Sequence, residues 1–453
     1  MIRLIFSDLR EHAATWVGAL IVAVGCGFIG GWVASLQTTA DAYGGHVHWM
    51  LRNAVSGYLM FSVLAAVAVL ISAANLTVAV QRRSYALWQL VGVSPRRVGA
   101  IVLAQLVVVA VVGSLVGTLV AAAIFAPLLP WTLSSAEVFT GVVPRVDLGR
   151  MPMVWLVVAA VFVIGGARGA RSASRTPPIS ALRDPEQRVR RMTLPRAALA
   201  LALIGCVAWI RATMVRLLAQ DPSSWFNMAS WGLLIPVFLA ATLVAAAPVV
   251  LPAVLTVWTS IVPQRRGTDW WLARHAAREG LSASASIETP VMVGVSIVAG
   301  LYSVIGVLGG YAHAQGDTGA WMLDFSTGLM FLGGPVLLCA IGAAVSVVMS
   351  SGSRTRDIAL LSAAGARPKT LVAAAAFEAL IHAVTSTLLG MGAAAAAAAL
   401  IASVFGRPLL ADMALGEGLI VSVAGFLLIL TATLMPTLSA LRRDIVGVLA
   451  AQD

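Results

Sequence analysis

Long apolar runs alternate with short polar segments along the whole 453-residue chain. A helix needs about 20 apolar residues to cross the hydrocarbon core of a bilayer, and it satisfies its backbone hydrogen bonds internally. Such runs cover residues 13–36, 55–80, 98–126, 151–167, 197–217, 230–258, 289–312, 327–350, 371–404 and 417–440. The pattern predicts an all-α polytopic membrane protein with about ten transmembrane helices. The fifth run is the weakest, because Arg211 and Arg216 lie in it.

The composition supports this class. Hydrophobic residues make up 60% of the chain and charged residues 11%, whereas soluble domains carry about 25% charged residues. In a soluble protein the net charge of +11 would suggest nucleic-acid binding. Here the basic residues gather at the ends of apolar runs, which is typical of membrane orientation. We therefore expect no nucleic-acid partner and favourable contact with membrane lipids.

The distribution of basic residues predicts the orientation. If both termini are cytoplasmic, the inner segments hold 24 of the 30 Lys and Arg residues. An excess of basic residues on one side marks the cytoplasmic side. We expect a multi-pass protein of a bacterial cytoplasmic membrane with both termini inside.

The chain also contains an internal repeat. At a shift of 273 residues Gly92 aligns with Gly365 and Pro95 with Pro368, and at a shift of 267 Arg175 aligns with Arg442. Six predicted spans separate equivalent helices, so the two copies have the same orientation. We predict a first four-helix repeat at 1–193, a two-helix insert at 194–262 and a second four-helix repeat at 263–453.

The best-matched parts of the repeat are "QRRSYALWQLVGVSPRRV" (residues 81–98, the first repeated segment) and "RTRDIALLSAAGARPKTL" (residues 354–371, the second repeated segment). Each predicts a short cytoplasmic helix that ends at a glycine, followed by a proline that starts the next helix. Such a segment either anchors a tight turn at the membrane interface or serves as a docking helix for a cytoplasmic motor. The residues expected at the docking contact are Arg83, Tyr85, Leu87, Trp88, Gly92, Pro95 and Arg96 in the first segment and Arg356, Ile358, Leu360, Leu361, Gly365, Pro368 and Lys369 in the second.

Extended into the helices that follow them, the two segments resemble the FtsX-like permease domain. That family has a charged residue ahead of an A-L-x-x-x-x-G turn, then a helix with an acidic or amide residue and later glycines. The tails "ASRTPPISALR" and "ALRRDIVGVLA" resemble its ending. The resemblance covers most of the chain outside about 194–262.

The resemblance implies the permease subunit of a type VII ABC transporter. In that class the segment between the second and third helices is the coupling helix, which sits in a groove of a separate ATPase. The ATPase would carry the ATP and Mg²⁺, so we expect no cofactor on this chain, and the two repeated segments predict two copies of the ATPase. The resemblance also implies export or extraction of a lipid, lipopeptide or antimicrobial peptide by mechanotransmission.

The chain departs from the class in its outer loops. About 18 and 14 residues stand where the class has a large extracytoplasmic domain. This favours a lipid-embedded substrate or a separate extracytoplasmic partner. A non-transporting subunit that regulates a cell-wall hydrolase or sensor kinase is the alternative. A secondary transporter is disfavoured, because few charged residues lie in the spans.

No enzyme active site is expected. A P-loop requires G-x-x-x-x-G-K-(S/T), whose backbone N–H groups hold the phosphates. The only lysine, Lys369, follows Pro368 instead of a glycine, and proline has no N–H to donate. ATP hydrolysis is therefore assigned to the partner.

Two further places hold ionisable side chains. Glu378 and His382 are four residues apart inside the ninth run, hence on one helix face. Intramembrane ionisable residues are functional candidates, with helix packing as the alternative, since Gln105 occupies the position of Glu378 in the first repeat. His46 and His48, expected on an outer loop, are too few for a metal site.

Overall fold

The structure is a computed structural model of the full chain. It describes residues 13–80, 82–134, 139, 141–175, 192–221, 225–262, 267–279, 281–316, 325–408 and 413–442. Over these residues the chain forms helices joined by turns, without a β-strand. The all-α fold predicted from the apolar runs is confirmed.

The helices of the first half are α1 (Ala13–Asp41), α2 (Gly45–Val80), α3 (Arg82–Leu90), α4 (Pro95–Thr132) and α5 (Met151–Arg175), with a 3₁₀ turn at Leu148–Arg150. Those that follow are α6 (Leu194–Gln220), α7 (Trp225–Gly232), α8 (Leu234–Ile261), α9 (Thr268–Glu279), α10 (Leu281–Ala314), α11 (Phe325–Ala363), α12 (Pro368–Phe405) and α13 (Leu415–Leu441).

Ten helices in the described part of the chain are long and apolar enough to cross a membrane. They correspond to the ten predicted runs, including the weak fifth one, which lies in α6. Arg211 of this helix donates a hydrogen bond from Nε to Ser403 Oγ at 3.2 Å. The side chain thus has a polar partner within the protein, which lowers the cost of a charge in an apolar helix.

Several helices are much longer than the hydrocarbon core is thick. Helices α4 and α12 have 38 residues each and α11 has 39, which at 1.5 Å per residue gives about 57 Å against about 30 Å of hydrocarbon. Helix α2 begins at Gly45, so only residues 42–44 separate it from α1. The outer loop expected there is therefore mostly helical. His46 and His48 lie on the first turn of α2 rather than in a loop.

Contacts divide the chain into two compact units. The first comprises Met1–Arg188 and Asp324–Met349. Within it α1 packs along α4 through closely spaced glycines: a Cβ atom added to Gly117 would lie 2.1 Å from the Val24 oxygen. Small residues allow transmembrane helices to approach this closely. The initial part of α11 belongs to this unit, where Gly334 faces the hydroxyl of Tyr58.

The second unit comprises Val189–Leu323 and Ser350–Asp453. Helix α10 packs along α12, and Gly390 of α12 leaves room for Val295 and the Met292 oxygen. Insert helices α6 and α8 cover one face of this pair. The repeat boundaries at 193 and 262 rest on sequence similarity and stay a prediction. The repeat assigns the whole of α11 to the second copy, whereas the packing assigns its residues up to Met349 to the first unit.

Candidate functional site

The first repeated segment forms the short helix α3 and the turn after it. Tyr85 is fully buried, and its ring meets that of Trp88 edge-on with centroids 5.5 Å apart. Leu87 and Leu90 remain about half exposed, at 47% and 55%, and Val91 in the turn is 87% exposed. The aromatic pair fixes the helix to its unit, so the leucines and Val91 are left for another contact.

The second repeated segment differs from its predicted form. Residues 354–363 are the end of the 39-residue helix α11, not a separate short helix. Ala359 is buried, Ile358 and Leu361 are half-buried, and Leu360 is 50% exposed. The polar residues before this segment are compatible with helix, so the backbone continues without a break. The side chains of Arg83 and Arg356, both predicted contact residues, lie outside the described part of the structure.

Both segments end in the same turn. Gly92 has φ +97° and Gly365 has φ +91°, a left-handed conformation that is costly for residues with a Cβ. The N–H of the residue after each glycine bonds to the oxygen five residues back: Val93 to Trp88 and Ala366 to Leu361, each at 3.0 Å. This pattern is a Schellman C-cap, and it explains why glycine recurs at the 273-residue shift.

The next helix starts in the same way in both halves. Ser94 and Arg367 have extended backbones, and Pro95 and Pro368 follow as the first helical residues of α4 and α12. Proline suits this position because its missing N–H would have no partner there. Arg96 and Lys369, next in the chain, are exposed. Each turn therefore presents a cation beside the exposed apolar side chains.

A buried ionisable cluster lies in the second unit. His382 of α12 is fully buried, with Nδ1 2.8 Å from Oε1 of Glu288 on α10. Its Nε2 lies 3.6 Å from Oε1 of Glu378, one turn earlier on α12. We call Glu288, His382 and Glu378 the buried triad. Both ring nitrogens of the histidine thus face carboxyl groups, that of Glu288 fully buried and that of Glu378 15% exposed.

Neighbouring polar side chains hold the triad in place. Ser386 Oγ lies 3.2 Å from the main-chain oxygen of Glu288 and donates to that of His382 at 2.8 Å. Trp258 of α8 donates from Nε1 to Thr385 Oγ1 at 3.0 Å. These bonds fix the rotation of α12 relative to α8 and α10, and hence the direction of His382.

The apolar pattern does not identify Glu288, because the seventh run begins at residue 289, one position after it. The structure begins that span at Glu288 itself. The available signal was the spacing of apolar residues, which continues past this carboxylate toward the start of α10. A search for acids at the edges of runs, as well as inside them, would have found it.

The triad has no counterpart in the first half. Gln105 and Val109 occupy the positions of Glu378 and His382 at the 273-residue shift, and Gly113 occupies that of Ser386. A Cβ atom added to Gly113 would lie 3.0 Å from the main-chain oxygen of Leu20. Leu20 therefore stands where the second half has Glu288. The helix pair packs closely in both halves, so packing alone does not require three ionisable groups.

The amphipathic helix α9 packs beside the start of α12. Trp270 meets Phe377 with ring centroids 5.8 Å apart. Arg278 donates hydrogen bonds to the main-chain oxygen of Thr256 at 3.1 Å and to Thr259 Oγ1 at 3.0 Å, both in the last turns of α8. Burial, and secondarily the charge of Arg274, lower the pKa of Arg278. Helix α9 thus ties α8 and α12 together.

Comparison with known families finds the same domain in both copies of the repeat. The profile of the family described as FtsX-like permease C-terminal matches residues 56–178 and 329–445, which together make slightly more than half of the chain. The starts of the two matches are 273 residues apart and the ends 267, the offsets found within the sequence. Both repeated segments fall inside the matched regions. The resemblance is confirmed, while no curated protein matches the chain.

Proposed function

The chain belongs to the FtsX-like permease family, and we propose on this basis that it is the permease subunit of an ABC transporter driven by a separate ATPase. The observation that carries the proposal is the identical turn in the two halves. Two copies of one exposed apolar and cationic surface suit two copies of one partner. The expected contact surfaces are the ends of α3 and α11 with their glycine turns.

The exposed side chains support a protein contact at these turns. Leu87, Leu90 and Leu360 are about half exposed beside cations that favour the cytoplasmic side. Apolar side chains next to fixed charges are typical of surfaces that a partner covers. A cytoplasmic ATPase with an apolar groove and an acidic rim has the matching chemistry.

The long helices provide a path for the force. Each turn leads directly into a helix of 38 residues, α4 or α12, which is long enough to cross the hydrocarbon core and extend beyond it. Movement of Pro95 or Pro368 by the ATPase would therefore move the far end of the same helix. We propose this mechanotransmission as the step that couples ATP hydrolysis to work in or outside the membrane.

The short connection at residues 42–44 leaves little protein on the far side of the first helix pair. We therefore propose that the cargo is embedded in the membrane or lies on its surface: a lipid, a lipopeptide or an antimicrobial peptide, which is exported or extracted. A separate extracytoplasmic partner would replace the missing outer domain. ATP and Mg²⁺ would bind to the ATPase.

Co-purification with a co-expressed ABC ATPase, sought first among the genes that neighbour this one, tests the proposal. We expect Leu87→Asp with Leu90→Asp to remove one ATPase copy, Leu360→Asp to remove the other, and the combination to abolish binding. Val143→Asp serves as the control, because Val143 is 62% exposed and lies outside both segments. Unchanged ATPase binding in the combined variant would contradict the docking assignment. ATPase binding without movement of lipid or peptide in vesicles would favour the signalling alternative.

A further inference from the structure

The buried triad holds an unusual arrangement of charge. A neutral imidazole carries one N–H, yet both nitrogens of His382 face a carboxyl oxygen. With both glutamates ionised and the histidine neutral, the fully buried Glu288 would carry a negative charge, and so would Glu378, whose side chain is 15% exposed. One ring nitrogen would then turn its lone pair toward a carboxylate. A buried charge is expensive unless a proton or a cation lies beside it, so the fully buried pair of Glu288 and His382 favours one additional proton.

A second observation points to the same need. Within the described part of the chain, Oε2 of the fully buried Glu288 has no hydrogen-bond partner. A buried carboxylate is stabilised mainly by the donors around it, so an oxygen without a donor disfavours the charged form. Glu288 thus combines one short contact to His382 with one oxygen left open to a proton.

The helices around the triad supply few other charges. Helix α8 carries no titratable side chain over Leu234–Ile261, and Glu417 on α13 lies toward the opposite end of α12. On α6, Arg211 bonds to Ser403, also far along α12. The titratable and charged residues of α9, which packs on the start of α12, are Asp269, Arg274, His275, Arg278 and Glu279. On α10 the remaining titratable groups are Tyr302, Tyr311 and His313, all beyond the triad.

We propose that Glu288, His382 and Glu378 form a proton-binding site that ties α10 to α12 in the second half of the protein. With a proton bound, the imidazolium bridges the two carboxylates. When the proton leaves, the imidazole holds one carboxylate and repels the other, and the helix pair loosens. The proton is the only ligand that this site requires, and no ATPase is needed for it to bind.

The first half provides the matched reference. Its equivalent helix pair, α1 and α4, packs closely with Leu20, Val109 and Gln105 at these positions. The triple variant Glu288→Leu, His382→Val and Glu378→Gln therefore gives the second half residues that already suit this packing. We expect it to fold and to lack the proton site. Glu288→Gln is the conservative second variant, since it keeps the shape and removes one charge.

The test uses the purified full chain in lipid nanodiscs across a pH series. We expect the ¹⁵N signals of His382 in histidine-labelled protein to change between charged and neutral forms, and the carboxylic-acid infrared band to change with them in a Glu288-dependent way. Because the proton stabilises the closed helix pair, the stability of the wild type should fall relative to the triple variant as the pH rises. The unfolding constants should diverge by about tenfold per pH unit for each proton released.

A constant difference in stability between the two proteins, with unchanged His382 and carboxyl signals, would overturn the proposal. If the triple variant does not fold, the spectra of the wild type and of Glu288→Gln still decide. A histidine signal that titrates equally in both would show that Glu288 is not part of the site. These measurements do not involve an ATPase, so their outcome is independent of the proposed transport function.

Discussion

Gly117 is one of several glycines that allow α1 and α4 of the first unit to pack closely. A Cβ atom on Gly117 would lie 2.1 Å from the oxygen of Val24 and 2.6 Å from the nitrogen of Phe28. Both are backbone atoms of α1, which cannot move without moving the helix. Gly390 has the same role against Met292 and Val295 in the second half. The recurrence of glycine at this position therefore follows from close helix contact, against backbone atoms at Gly117 and against the Val295 side chain and the Met292 oxygen at Gly390.

This contact predicts that Gly117→Ala destabilises the protein. The added methyl group forces α1 and α4 apart, and such overpacking costs about 1–3 kcal/mol. Gly392→Ala is the control, because a Cβ there would meet nothing within 4 Å, and alanine in a helix gains about 0.5–1 kcal/mol over glycine. Thermal unfolding in detergent should show a lower midpoint for Gly117→Ala only. Equal midpoints for the two variants would contradict the close approach.

At the residue scale the sequence predicted turns better than buried charges. Gly92 and Gly365 were identified correctly because a left-handed C-cap demands a particular residue type at one position. Glu288 was missed because its importance comes from His382, which is 94 residues away in the chain. Whether two distant residues meet depends on how each of the two packed helices is rotated about its own axis. A hydropathy pattern gives no information about that rotation.

At the element scale, the apolar runs located the spans but not the helix ends. The run at 327–350 predicted a span followed by a separate short helix, whereas α11 continues from Phe325 to Ala363. Hydropathy indicates where a helix leaves the lipid. The hydrogen bonds within the helix do not depend on that boundary, so the helix can continue past it. The helix stops at the Schellman cap of Gly365, a local backbone event. The helical part of the second repeated segment is consequently a continuous extension of a transmembrane helix.

Because α11 is continuous, we predict that a break in it would leave ATPase binding intact and impair the coupling of ATP hydrolysis to the permease. Ser353→Pro places proline within the helix, where it removes a hydrogen bond, kinks the backbone and costs about 3 kcal/mol. The contact surface at 358–366 stays intact, so we expect the ATPase to co-purify but its ATP hydrolysis to lose its response to the permease. Ser353→Ala should behave as the wild type. Normal coupling in the proline variant would show that rigidity of α11 is not required.

At the scale of the whole molecule, the two halves share a plan but differ in detail. Both have the glycine turn, the proline start and the close helix pair. Only the second half has the insert helices α6 and α8 packed on it and the buried triad within it. Duplication explains the shared features, since each copy meets the same demand. The differences indicate that the halves have separate tasks beyond the proposed common contact with the ATPase.

Membrane orientation is the property on which the proposed partner depends. The distribution of basic residues predicts that the turns at Gly92 and Gly365 lie in the cytoplasm, where ATP is available. The chain has three free cysteines, Cys26, Cys206 and Cys339, whose replacement gives a background for labelling. We then introduce Ser94→Cys or Val143→Cys, both at exposed positions.

In intact cells an impermeant maleimide should label Val143→Cys and leave Ser94→Cys unmodified until the membrane is permeabilised. One span, α4, separates the two positions, so they are expected on opposite sides of the membrane. Each variant therefore serves as the control for the other. The reverse result, with Ser94→Cys labelled from outside, would place both glycine turns away from cytoplasmic ATP. A motor could not then grip them, and the contact assigned to these segments would have to be sought at the opposite ends of α4 and α12.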